Sequence, residues 1–270
     1  MLDLTLGLLY FFLVIAFAFA AVILRTIDAR GFLASVTVGF LIIYGGGVQW
    51  FIIVAVFFAL GVAVTLYKYG YKKKIGGAQE KGGARNWPNI LANGGLASIF
   101  AACEYFHPGA AFAALFLGSI STAAADTAAT ELGLLSRSKP RMITRPGREV
   151  TPGTSGGVSP LGFAGAVLAS LVIGGMAYVL GILGVAAPLL EALPLCVVGG
   201  VSGAVVDSLI GATIQRRGHC TVCLRQTESV RHCGEKTAMT GGIPFVENNV
   251  VNLLATLAGA GAALGFLALI

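Results

Sequence analysis

Residues 48–67 read VQWFIIVAVFFALGVAVTLY, twenty residues without a charge, and Lys68 follows directly. About 20 consecutive apolar residues is the length a helix needs to cross the hydrocarbon core of a bilayer. An amphipathic surface helix would leave one face polar, and this run leaves none. Working outward from it, similar runs cover residues 2–24, 31–45, 88–106, 109–135, 159–184, 186–214 and 248–270, so the chain predicts eight spans. Composition agrees. Hydrophobic residues make up 56% and charged residues 11%, and the mean hydropathy is +0.86, whereas soluble domains carry about 25% charged residues. A transmembrane β-barrel would show alternating strands of roughly ten residues, which are absent. The 38 glycines follow no Gly-X-Y period and suit helices packed closely in lipid. The expected fold is an all-α polytopic bundle, one integral-membrane domain over residues 1–270.

The cations orient that bundle. All 18 Lys and Arg fall in four connections, which hold Arg25 and Arg30, then Lys68 to Arg85, Arg137 to Arg148, and Arg216 to Lys236. The turns near residues 45, 107 and 184 carry none. With eight spans the four basic connections share one side, which the positive-inside rule makes cytoplasmic, with both termini extracytoplasmic. Cytosolic loops are expected at about 68–87, 136–158 and 215–247. Trp50 and Trp87 fall at opposite interfaces, as aromatic belts do. The first run lacks a basic leader and reads as a retained span in the cell membrane. A basic face attracts anionic lipid headgroups or polyphosphates; nucleic acid is not an expected partner, because no recognition fold is present. Composition leaves oligomerisation open.

Carboxylates inside the spans carry the functional signal. Of the 12 acidic residues, Asp126 and Glu131 lie in the fifth span and Asp207 in the seventh. A charged group at mid-membrane costs about 2.5–3.5 kcal/mol on insertion scales, so such residues are a functional hypothesis by default, with a structural partner for a neighbouring helix or a position at the interface as the alternative. Asp126 precedes Arg137 by 11 residues, roughly 16 Å along a helix, and Asp207 precedes Arg216 by nine, roughly 13 Å. Both sit in the cytosolic half, at the level of Asn93 and of Asn248, Asn249 and Asn252. Oxygen donors under a basic rim suit Mg²⁺, with Asp126, Glu131 and Asp207 as expected ligands and Asn93, Asn249 and Asn252 holding phosphate or metal-bound water. Asp126 and Glu131 are about 140° apart around a regular helix. One of them can therefore bind metal while the other holds a neighbouring segment.

Two loops add chemistry. Residues 153–159 read GTSGGVS at the start of the sixth span. Backbone N–H groups of Gly153, Thr154, Gly156, Gly157 and Ser159 can form an anion nest facing a helix N-terminus, with Arg145 and Arg148 able to grip phosphate bidentately. The Gly-Lys-Ser/Thr ending of a Walker A loop is missing. Cys220-x₂-Cys223 and His232-Cys233 resemble a structural zinc clip, and free thiols are the alternative. Cys103 and Cys196 read as packing residues.

Five segments carry a resemblance: Ala125 to Gly133 (ADTAATELG), Leu91 to Gly95 (LANGG), Gly153 to Ser159 (GTSGGVS), Asp207 to Gln215 (DSLIGATIQ) and Asn248 to Asn252 (NNVVN). In type and chain order they are similar to the motifs of the domain of unknown function 92 family, which includes the plant chloroplast phytyl-phosphate kinase. The resemblance implies a prenyl-phosphate kinase. Such an enzyme moves a phosphoryl group from a nucleoside triphosphate to an isoprenoid monophosphate of phytyl or geranylgeranyl type. Cytidine triphosphate is the donor suggested by likeness to related prenyl-alcohol kinases. Lys72 and Lys74 then become further phosphate candidates. A small-solute or lipid transporter, and a polyprenyl alcohol kinase or other lipid phosphotransferase, are the competing expectations.

Overall fold

The computed structural model describes residues 4–183, 189–224 and 226–270. The ends of the first, sixth and seventh expected spans, at residues 2–3, 184 and 186–188, lie outside them. The helices are α1 (Leu4–Ile23), α2 (Ala29–Leu66), α3 (Tyr69–Lys74), α4 (Trp87–Phe106), α5 (Ala110–Gly133), α6 (Pro160–Val179), α7 (Leu189–Thr213) and α8 (Asn248–Leu267). Among the described residues, six of them are long and apolar enough to cross a membrane, namely α1, α2, α5, α6, α7 and α8. The 20-residue α4 is not among the six but packs against α2, α5 and α8.

Local chemistry sets the helix ends. Asp28 accepts from Gly31 N at 2.8 Å to cap α2, and Asn86 accepts from Asn89 N at 3.1 Å to cap α4. Pro160 follows the Ser159 cap in the first turn of α6. That helix stops at Val179, short of the residue 184 expected from hydropathy. Gly181 adopts φ 65° and Ile182 N turns back to Ala177 O, a glycine-terminated C-cap.

The expected second and third spans are continuous in α2, broken only at Gly47, whose φ of 80° and ψ of −178° are non-helical. That combination is open essentially to glycine alone. The chain doubles back there. A Cβ on Gly39 would sit 3.2 Å from the ring of Phe51, and Gly31 and Gly61, 30 residues apart, both lie against Arg85.

Helix α5 is the hub, touching α2, α4, α6, α7 and α8. Its Ala113, Ala114, Gly118, Ser119, Ala123, Ala124 and Ala125 are buried, and small residues let the neighbours approach. Gly118, Gly199 and Gly259 meet where α5, α7 and α8 cross. A Cβ on Gly118 would fall 2.5 Å from Gly259 O, and one on Gly199 2.8 Å from Gly118 Cα. Thr122 Oγ1 donates to Gly199 O at 3.1 Å across the same crossing.

The loops correct the all-helical expectation. Between α5 and α6, β1 (Arg141–Met142), β2 (Arg145–Glu149) and β3 (Gly157–Val158) form a sheet ordered β2-β1-β3. Between α7 and α8 lie β4 (Arg217–His219), β5 (Gln226–Thr227), β6 (Arg231–His232), β7 (Glu235–Lys236) and β8 (Ala238–Gly241), forming a β5-β4-β8 sheet and a β6-β7 hairpin. Every pairing between these strands is antiparallel. Strands of two to five residues are too short for a two-residue hydrophobic period to show.

Candidate functional site

Four helices bring polar side chains together at the end of the bundle from which these two β-segments emerge. With its amide oriented to face acceptors and donors correctly, Asn252 of α8 donates to Asp207 Oδ2 of α7 at 3.3 Å and to Asn248 O at 3.1 Å. It accepts from Asn93 Nδ2 of α4 at 3.2 Å; which amide end is nitrogen follows from the hydrogen bonding. Thr256, one turn along, donates to Ala92 O at 3.4 Å and ties α8 to α4. Asp126 of α5 lies close enough to Asp207 for their charges to repel. Asp126 and Asp207 are both half-buried.

The third carboxylate of this cluster is Glu228, which the sequence gives no reason to single out. It lies in the segment between α7 and α8, yet its charge acts on both Asp126 and Asp207. Ser155 Oγ donates to Glu228 Oε1, and Gln215 also hydrogen-bonds its side chain. Burial pushes the Glu228 carboxyl above the usual carboxylate range, and those two hydrogen bonds pull against the shift. Its backbone is fixed by Arg216, buried at the end of α7, whose guanidinium donates to Glu228 O at 3.2 Å, Ser229 O at 2.9 Å and Thr237 Oγ1 at 2.8 Å. Among the described residues, none of the three carboxylates forms an ion pair. Three mutually repelling carboxylates beside two amides are a hard-oxygen donor set, which fits Mg²⁺.

The glycine loop abuts this cluster. Gly156, at φ 75°, packs on α7 so closely that a Cβ would fall 2.6 Å from Ala212 N. A Cβ on Gly211 would in turn lie 3.0 Å from Gly156 N. The glycines thus let loop and helix touch backbone to backbone. Gly153 also takes a positive φ, 86°. Gly157 pairs with Met142 in the β1–β3 ladder. Thr154 Oγ1 donates to Thr151 O at 2.8 Å, while Ser159 Oγ accepts from Gly162 N at 3.2 Å as the cap of α6.

Other expected residues stand apart. Glu131 pairs with Lys72, Nζ to Oε2 at 2.6 Å, both ends buried. Lys72 Nζ also donates to Val64 O at 2.6 Å and Thr65 O at 3.3 Å. Its three protons are spent, so the expectation that Lys72 holds a phosphate gives way to a structural ion pair joining α3 to α5. Glu131 is thus spent on Lys72 and is also attracted to Arg85, so the expectation that it joins Asp126 and Asp207 around the metal gives way to this pairing, in keeping with its angular separation from Asp126. Its Oε1 is buried without a hydrogen-bond partner among the described residues. Arg145 and Arg148 are exposed on β2, and Lys74 is exposed at the end of α3. Asn249 is half-buried and makes no side-chain hydrogen bond among the described residues. The ligand atoms of Cys220, Cys223, His232 and Cys233 lie within 4.8 Å of one another.

An apolar cleft lies next to the cluster. It runs between α1, α2 and α4, lined by Val14, Phe17, Val38, Phe51 and Phe57, with Asn89 and Asn93 among its walls. Asn93 therefore belongs both to the cleft and to the polar network of Asn252 and Asp207.

Comparison with known proteins gives a consistent picture. The chain is 28% identical over 256 residues to Protein PGR of Arabidopsis thaliana, covering 86% of each. It is 34% identical over 197 residues to the uncharacterized membrane protein MJ0933 of Methanocaldococcus jannaschii, covering 72% of this chain and 77% of that one. It is 29% identical over 194 residues to the chloroplastic Protein VTE6 of Arabidopsis thaliana, covering 70% of this chain and 56% of that one. No solved structure matches. Residues 12–260 match the integral membrane protein family DUF92, and with that span matched the chain belongs to this family.

Proposed function

We propose that this protein is a Mg²⁺-dependent kinase of an isoprenoid monophosphate, with its site at the cytoplasmic face of the cell membrane. The observation that carries the reading is the unneutralised trio of Asp126, Asp207 and Glu228, set between a glycine loop and an apolar cleft. Asp126 and Asp207, with Glu228, would hold the metal, which when bound supplies charge neutralisation for the phosphates. Asn93 and Asn252 would orient the acceptor phosphate at the mouth of the cleft, where Val14, Phe17 and Phe51 receive the isoprenoid tail. The residue 153–159 loop would cradle the nucleoside triphosphate through those of its N–H groups not already bonded, since the expected donors Thr154 N and Gly157 N are taken up by Thr151 O at 3.1 Å and Thr154 O at 2.9 Å, with Arg145, Arg148 and Lys74 at its outer end. An oxygen of the acceptor monophosphate attacks the γ-phosphorus, the bridging P–O bond breaks, and nucleoside diphosphate leaves with isoprenoid diphosphate as product. A phosphate acceptor needs no strong general base, so positioning and electrostatics suffice. Likeness to VTE6 and the resemblance to phytyl-phosphate kinase support this substrate class, and cytidine triphosphate is the donor to test first.

The matching topology has eight crossings, with α2 making two, α4 one, and both termini extracytoplasmic. The basic connections then share the cytoplasmic side.

Purified protein given Mg²⁺, γ-labelled cytidine, adenosine, guanosine or uridine triphosphate, and phytyl or geranylgeranyl monophosphate is expected to form the labelled diphosphate. Turnover with the free alcohol but not the monophosphate would favour the alcohol-kinase reading. No turnover with any donor, together with solute flux in liposomes, would favour a carrier.

A further inference from the structure

The strand-bearing stretch of residues 217–241, between α7 and α8, has no hydrophobic core among its described residues. Its larger apolar side chains, Val222, Leu224, Val230 and Met239, are all exposed, and its strands are two to four residues long. An isolated two-stranded hairpin is marginal in water, and small units that lack a core are held by disulfides or by metal. At its centre sits Cys220, which is 1% exposed. Around it are the Sγ atoms of Cys223 and Cys233 and a ring nitrogen of His232. His232 Nδ1 lies 3.4 Å from Cys223 Sγ and 3.2 Å from Cys233 Sγ. Tetrahedral zinc with Zn–S of about 2.3 Å and Zn–N of about 2.0–2.1 Å sets ligand sulfur and nitrogen roughly 3.6 Å apart. The backbone supports the same arrangement. The N–H groups of Val222 and Cys223 point at Cys220 Sγ. Leu224 and Cys233 take positive φ, 58° and 52°, followed at Gly234 by 85°, a costly conformation for side-chain-bearing residues that falls at or beside a ligand of each pair.

We infer that Cys220, Cys223, His232 and Cys233 bind one structural Zn²⁺ that folds the connection between α7 and α8 and thereby holds Glu228 against Ser155. The donor set is the Cys₃His type used in closed structural sites, with no position left for a substrate. The metal closes the β4-to-β5 turn and the β6-β7 hairpin onto each other. Thr227, Glu228 and Ser229 lie between those two elements. Arg216 grips the same strip of backbone from the membrane side, so zinc and guanidinium fix Glu228 from opposite ends.

The full chain, purified in detergent through a tag that does not bind metal, is expected to carry one zinc per chain by elemental analysis. The double variant Cys220→Ser/Cys223→Ser is expected to lose it, and Cys103→Ser to keep it. Should the double variant fail to fold, the unaltered protein still decides the matter. Grown or reconstituted with Co²⁺, it is expected to show the visible bands of tetrahedral thiolate cobalt, and Cys220, Cys223 and Cys233 should resist alkylation until a chelator is added. The inference is overturned if the full chain with its thiols reduced holds neither zinc nor cobalt or holds iron in their place, or if the chain as isolated carries a Cys220–Cys223 disulfide. None of these readouts needs turnover, so failure here is distinct from failure of the kinase reading.

Discussion

Asp126, Asp207 and Glu228 repel one another, and that repulsion separates their role from their cost. Asp126→Asn and Asp207→Asn are each expected to cut phosphoryl transfer by about 10²-fold or more, the scale of losing a preorganised electrostatic group. The same changes remove a repelling charge, so metal-free protein should melt at an equal or higher temperature; a large fall in melting temperature would mean that they are structural. Glu228 adds a pH dependence. Its carboxyl is raised by burial, so the folded state holds that proton to higher pH than the unfolded chain, and its contribution to stability declines as pH rises through the raised value. In Mg²⁺-free buffer, proteolysis of the 217–241 segment should quicken over that rise, and Glu228→Gln should abolish the dependence. The Lys72–Glu131 pair behaves oppositely. Lys72→Met strands a buried carboxylate and is expected to destabilise by about 3–5 kcal/mol, whereas Lys72→Met/Glu131→Leu should recover most of the loss. Thermal unfolding in detergent measures both.

At the scale of elements, Gly47 is where one helix becomes two arms. Gly47→Ala forces a side chain into the glycine-only region and is expected to cost about 1–3 kcal/mol, read as a lower melting temperature. The glycine run at residues 45–47 made a break there readable, because two apolar runs flank it; that the halves close on Arg85 depends on tertiary contacts. That Asp126 and Asp207 share a level with Asn93 and Asn252 was legible from their places in the spans, the acids from residue counts to the nearest cation, since a helix rises a fixed distance per residue, and the amides from lying near the start of theirs. The helix angle showed that Asp126 and Glu131 cannot both face one ion, but not which of them turns to Lys72, and Glu131 was still expected around the metal. Glu228 was not, because it reaches the cluster through a β-segment whose strands show no period. Nor was the partner of Glu131, since Lys72 is 59 residues distant and no local spacing links them.

For the whole molecule, the test of topology is one-sided labelling. With labelling at each introduced cysteine read by peptide mass, Lys74→Cys and Arg145→Cys are expected to react with an impermeant thiol reagent only from the cytoplasmic side, and His107→Cys only from outside, in a Cys103→Ser/Cys196→Ser background that retains Cys223 and Cys233. Reaction of Lys74→Cys and His107→Cys from the same side would remove the eight-crossing arrangement. The buried lysine also constrains how the chain is made. Lys72 leaves the ribosome well before Glu131, and an ammonium without its counter-ion does not enter a dry interior. Until α5 is synthesised, the short helix carrying Lys72 must wait in water, and it docks only when its carboxylate arrives. Biogenesis of this protein is therefore expected to run in order, with the first half of the chain inserted but unlatched until the second half supplies the catch.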